Sequence, residues 1–207
     1  MQRITPFTTD HPAILEGLDV LRLIADHVEA GDAVEPEDIG IVLDFLRNVG
    51  CACLDHTASL ILRPALKRAR EKVAVQRLRS ALACHEVVRP LLDETAVDLD
   101  FFQSFFVHHS DFRTMRVDSL ASANILGEPE AEFPGCFVLH VRLLTELVED
   151  LIIQEDAFLL RDAVNLLADP DGQLKIREFA DHERRIGAIA AEGRPELHRL
   201  ETKYAHP

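Results

Sequence analysis

The sequence predicts an all-α protein, folded as an up-down-up-down four-helix bundle with an extended connection between the third and fourth helices and extra helices at the C-terminus. Three observations lead there. Long stretches lack Gly and Pro, apolar residues recur at spacings of three and four, and β-branched residues nowhere alternate with polar ones over a strand length. Four amphipathic stretches joined by short or moderate loops close most simply as a bundle, and in a bundle the chemistry comes from polar residues that point inward.

The first helix starts at the Thr9/Asp10 cap and runs to about Ala30, with Ile14, Leu15, Leu18, Leu21 and Val28 facing the core. GDAVEP is its exit loop. A second helix begins near Glu37 and carries Phe45, Leu46, Val49, Cys53 and Leu60 until Pro64, which lacks a backbone donor and predicts a kink or break. Its continuation, ALKRAREK, reads as solvated. The third helix shows Leu78, Leu82, Val88 and Leu92, with Pro90 a second predicted interruption, and its pattern resumes in DFFQSFFVHHSDF. Residues 94–135 form an inserted connection that ends in the loop EPEAEFPG. Cys136 to Ala168 is the clearest helix, with Leu144, Val148, Leu151 and Leu159 on one face, and DPDG closes it. A last helical region from about Leu174, interrupted near EGRPE, has alternating charges and is expected across one end of the bundle or on its outside. The whole reads as one domain, 1–207, with a helical appendage over 172–207.

Composition narrows the function. The chain has 207 residues, 47% of them apolar, enough for a self-sufficient core, which excludes a small disulfide scaffold and a disordered tail. Twenty-two Lys and Arg face 36 Asp and Glu, a balance of -14, which argues against nucleic acid and anionic membrane surfaces as partners. MQRITPFTTDHP has no apolar core of a signal peptide and no long uncharged apolar run follows, so a cytoplasmic location is expected. Cys51, Cys53, Cys84 and Cys136 lack the paired spacing of a zinc knuckle or a secreted framework and read as reduced, buried residues.

Three ionisable side chains fall on stripes that should be buried: His11 before Ile14, Leu15 and Leu18; His85 between Leu82 and Val88; and Glu155 between Leu151 and Leu159. A carboxylate buried alone costs several kcal/mol or takes up a proton, so groups supplied by three different helices are expected to meet one another. The second helix offers a fourth candidate, either Asp55 or His56, depending on register. Two His with two carboxylates, or three His with one, suit a divalent transition metal such as iron or zinc. A metal-free core in which the same groups hydrogen-bond one another is the alternative.

At this point the chain resembles the hemerythrin-like, or HHE cation-binding, family over most of its length. DHPAILEGLDVL is similar to the family's opening helix, DFLRNVGCACLDHTASLILRPAL to its second, ALACHEVVRPLLDE to its third, and LVEDLIIQEDAFLLRDAVNLLADPDGQLKIREF to its fourth and the turn after it. The resemblance implies a four-helix bundle holding two irons. It assigns ligand roles to His11, His85 and Glu155. It also implies departures: Leu151 stands at the histidine position of the fourth helix, while Asp55 and Ser59 stand at the His and Glu positions of the second, with His56 one residue off register. Too few donors remain for the full di-iron set. The metal candidates are therefore His11, Asp55, His56, His85 and Glu155, holding one or two irons, another divalent transition metal, or no metal.

Other motifs carry less. DPDGQLKIREF has part of a calcium loop, but Leu167 stands at the first ligand position and Pro170 intrudes, so a capped turn explains it. The insert around Phe101–Phe112 reads as helix packing on the bundle end, with a homodimer or protein-partner contact, or a lid over the bundle mouth, as the other readings. No nucleophile elbow, activated cysteine or phosphate-cradling loop occurs, and no enzymatic activity is expected. The leading functional reading is a metal- or ligand-responsive binding module. A metal-free interaction scaffold on the same fold and a metal-dependent redox enzyme are its rivals.

Overall fold

The computed structural model describes residues 11–108 and 133–205, and among them the chain is helical with no strand. Helix α1 is His11–Ala30. The rod α2, residues 36–68, runs Pro36–Phe45, a π-helical segment Leu46–Cys51, Ala52–His56, a second π segment Thr57–Leu62, and Arg63–Arg68. Helix α3 is Lys72–His108. The rod α4, residues 133–166, joins Phe133–Gln154, a π segment Glu155–Leu159 and Leu160–Leu166, and α5 is Pro170–Tyr204.

Local chemistry sets the ends. Gly31, at φ 79°, closes α1 in the left-handed conformation that glycine adopts without strain; its N–H bonds Val28 O at 3.1 Å, and Asp32 N–H reaches His27 O at 2.9 Å. Pro36 and Pro170 each open a helix, where a missing N–H costs nothing. Asp169 caps α5 by accepting from Gly172 N at 2.6 Å and binds Arg68 of α2 at 2.7 and 3.0 Å.

No break occurs at Pro64, Pro90 or EGRPE: the helical backbone continues through all three. Pro64 stands two residues beyond the last residue of a π segment, Leu62, so the carbonyl it cannot bond lies within that segment, where the hydrogen-bond ladder is already opened. Pro90 and Pro195 lie inside α3 and α5 on their solvent sides, so the carbonyls they leave unbonded, on exposed Glu86 and Ala191, face water. The C-terminal region is accordingly one long helix, from Pro170 onward.

Contacts run around a closed order α2, α3, α4, α1, α5 and back to α2, with α1 also touching α2 and the last stretch of α4, Leu160–Leu166, touching both α2 and α5. Side-chain pairs define the directions. His11 with Asp156 and Glu29 with Arg142 make α1 antiparallel to α4; His85 with Glu155 and Asp98 with His140 do so for α3 and α4; Arg63 with Glu86 and Arg47 with Asp93 do so for α2 and α3. α5 runs parallel to α1 and antiparallel to α2, filling the groove between them. It packs closely there because Gly17 on α1 and Gly193 on α5 leave room for the Phe45 ring; a Cβ at Gly193 would come within 2.6 Å of that ring. Ile14, Leu21, Leu43, Ile61, Leu92, Phe137 and Phe179 fill the interior. No described helix is long and apolar enough to cross a membrane. The Thr9/Asp10 cap, and the aromatic face expected at Phe101–Phe112 with most of the 94–135 connection, lie outside the described residues and side chains.

The far end of α5 is locked by Asp38, 3% exposed in the first turn of α2. It accepts from Arg199 at 3.0 Å, Lys203 at 2.6 Å and the Tyr204 hydroxyl at 2.8 Å. Burial opposes its charge, but Lys203, Tyr204 and Arg199 outweigh burial and hold the carboxyl below its ordinary range. Asp38→Ala strands these donors and is expected to cost about 2–4 kcal/mol, against about 1 for Tyr204→Phe, read from urea midpoints. A cost below about 0.5 kcal/mol for Asp38→Ala would show that the contact holds nothing in place.

Candidate functional site

His11, the first residue of α1, His85, midway along α3, and Glu155, where the π segment of α4 begins, meet inside the protein. They are 3%, 5% and 1% exposed. His85 Nε2 lies 2.9 Å from Glu155 Oε1, and His11 Nε2 lies 3.2 Å from Glu155 Oε2. One carboxylate thus stands between two imidazoles from two other helices. His11 Nδ1 turns outward to Asp156 Oδ1 at 2.8 Å, on a side chain nearly half exposed. The chain of contacts Asp156, His11, Glu155, His85 therefore runs from the surface into the core.

These contacts assign protons. His11 has a carboxylate oxygen at each ring nitrogen, and only the doubly protonated imidazolium places a hydrogen on both sides. Burial works against that charge, yet Glu155 and then Asp156 outweigh it and raise the His11 pKa above its ordinary value. Glu155 shows the converse: burial would raise its pKa, but His11 and His85 outweigh burial and lower it. His85 donates from Nε2, while its buried Nδ1 has no hydrogen-bond partner; Glu155 Oε2 also lacks an aligned donor and faces the His11 ring.

The two candidates on α2 are not part of this cluster. Asp55 is exposed and pairs with Arg89. His56 donates from Nδ1 to Ala52 O at 2.9 Å and stacks on His182 of α5. Ser59 is exposed and bonds the His56 carbonyl. The buried residues of this stretch are Cys53, Leu54, Thr57, Ala58 and Ile61, and Leu54 lines a small apolar cavity with Ile14, Val88 and Val148. The cause is the π segment Leu46–Cys51 ahead of them: it adds a residue to a turn, so the side chains beyond it are rotated by about 100° from a regular 3.6-residue repeat.

The iron that the family resemblance implies does not fit the donors as they stand. Each imidazole directs Nε2 at a different oxygen of one carboxylate instead of toward a shared point, α2 turns apolar side chains inward, and Leu151 occupies the fourth-helix histidine position. Among the described residues no group of three or more His, Cys, Asp or Glu side chains is placed to hold a metal ion.

Sequence reasoning missed a second polar contact. Cys53 of α2 donates to Glu183 Oε1 of α5 at 3.5 Å, next to the His56–His182 stack. The signal was present, because Phe179, His182, Glu183 and Ile186 follow the three-and-four spacing that singled out His11, His85 and Glu155. Asp156, next to Glu155 in the chain, is the outer partner of His11. A cleft of about 300 Å³ opens beside the α4 π segment, lined by Leu78, Phe158, Leu159 and Asp162, with Arg77 lying 4.9 Å over the Phe158 ring.

Glu155→Ala strands both imidazoles and is expected to cost about 3–5 kcal/mol. Its pH profile follows from the two shifts. The lowered Glu155 contributes fully above its ordinary 4.5 and loses that contribution as pH falls through its depressed value. The raised His11 contributes fully below its ordinary 6.5 and loses it as pH rises through its elevated value. The stability gap between wild type and Glu155→Ala should be widest near pH 5–6 and narrow on both sides; a gap constant from about pH 4 to 8 would rule out the ion-pair assignment. Comparison of the chain with family models, curated proteins and solved structures returns no match.

Proposed function

We propose that this chain is a divergent hemerythrin-like four-helix bundle, α1 to α4, with α5 laid in the groove between α1 and α2, and that it works as a metal-independent interaction module. The observation that carries the reading is the engagement of both imidazole Nε2 atoms with the two oxygens of Glu155. Donors that would face metal in the family are here committed to one another. The antiparallel pairings of α1 to α4 and the four segments that resemble the family in order support the fold. The binding role rests on exposed apolar side chains such as Leu139 and Leu143, four residues apart on α4 and 54% and 45% exposed.

A second reading, one iron or other divalent ion held by His11, His85 and Glu155, is favoured by the unpartnered His85 Nδ1 and Glu155 Oε2. It requires the imidazoles to turn away from their present partners.

Elemental analysis separates the two readings, using untagged full-length protein incubated anaerobically with ferrous iron beside His85→Ala and Glu155→Ala. The interaction-module reading expects less than about a tenth of an equivalent of iron and a melting curve indifferent to chelator. About one equivalent, lost in both variants and accompanied by a lower melting temperature on chelation, overturns it in favour of the metal.

A further inference from the structure

The contact between α2 and α5 is a buried polar junction that the His–Glu–His cluster does not use. His56 and His182 stack face to face, with ring centroids 3.2 Å apart and planes within 6° of parallel. His182 is 9% exposed, and its Nε2 has no hydrogen-bond partner. The Ala52 carbonyl accepts from His56 Nδ1 at 2.9 Å and is also the contact that favours charge on His182. Against it stand burial first, then His56, then Arg185, which together lower the His182 pKa below its ordinary value. The other titratable groups facing this junction are Cys53 from α2 and Glu183 from α5, bonded to each other.

We propose that the His56–His182 stack is a pH-operated clasp, which holds α5 against α2 at neutral and higher pH and releases α5 locally from α2 on acidification. Stacked rings keep their nitrogen lone pairs in two parallel planes that do not converge, so the pair is poorly disposed to share a metal ion and is better suited to stacking. Stacking at this spacing tolerates neutral rings, whereas two imidazolium rings would repel. A single charge on His182 would be buried with an N–H that has no acceptor. The released state, with His182 in water, binds the proton more readily than the closed one, so docking weakens as pH falls below the ordinary 6.5 and stops weakening once pH passes the depressed value.

The junction is local to α5. Its far end is fastened by Asp38 to Arg199, Lys203 and Tyr204, so acid opening is expected around residues 176–190 while 197–204 stays docked. Hydrogen exchange of the full chain at about pH 7.5 and 5, corrected for intrinsic rates, tests this, since one linked proton changes an opening constant by at most about tenfold per pH unit. Wild type should lose about twofold protection or more in 176–190 at the lower pH, with 197–204 unaffected, and His182→Phe, which keeps a stacking ring but cannot titrate, should show no such change. Unchanged wild-type protection, or the same acid loss in folded His182→Phe, overturns the clasp. A ring-proton NMR titration of the wild type tests it without any variant: a His182 midpoint below 6.5 that coincides with the opening is expected, and a midpoint at or above 6.5 overturns it.

Discussion

Glu155 is a carboxylate almost wholly withdrawn from water, and the interior is arranged around keeping it charged. Removing such a group from water costs several kcal/mol, recovered only when donors are positioned closely around it. His85 and His11 provide those donors from α3 and α1, so three helices must stand level with one another at that point. This fixes their axial register. Pairs farther along the same helices agree with it: Glu29 with Arg142, Arg22 with Glu149, and Asp98 with His140 lie in step on the antiparallel rods.

Two buried histidines of the same intrinsic chemistry are driven in opposite directions by their surroundings. His11 lies between two carboxylates and is held as a cation. His182 lies against a second imidazole with a bare Nε2 and is held neutral. Both positions are excluded from water, so burial alone does not decide protonation here; the sign of the nearest partner does. The consequence is an interior in which the α1–α3–α4 cluster is favoured on the acid side of neutrality and the α2–α5 junction on the alkaline side.

The helices and part of the site were legible in the residues themselves. His11, His85 and Glu155 could be picked out because α1, α3 and the part of α4 before Glu155 keep a regular repeat, so a polar residue in an apolar stripe must face inward. Asp55 and His56 could not be placed, because the π segment Leu46–Cys51 in α2 shifts the phase of the residues downstream of it and leaves no clear mark in composition. His182 and Glu183 obeyed the same spacing rule, yet the heavy charge of the C-terminal region suggested a solvated helix. Apart from the buried Glu183, that charge lies toward the outer face: Ile176, Phe179, Ile186, Ala190, Leu197 and Leu200 line a buried stripe beneath it.

The sequence by itself determined that the chain is helical, where α1 ends and where α2 and α4 begin to within a few residues, and which three ionisable groups must share the interior, since all of these follow from local periodicity and from the cost of burying a charge alone. Tertiary structure decided the rest: that prolines at 64, 90 and 195 are carried within helices, that α2 turns Leu54 and Ala58 inward, that Asp156 closes the outer side of His11, and that α5 fills the groove between α1 and α2. The reason is common to these outcomes. Each depends on how neighbouring helices compensate a local irregularity, by opening a π turn, by leaving a carbonyl to water, or by bringing a partner charge from a distant segment, and no local window of residues contains that information.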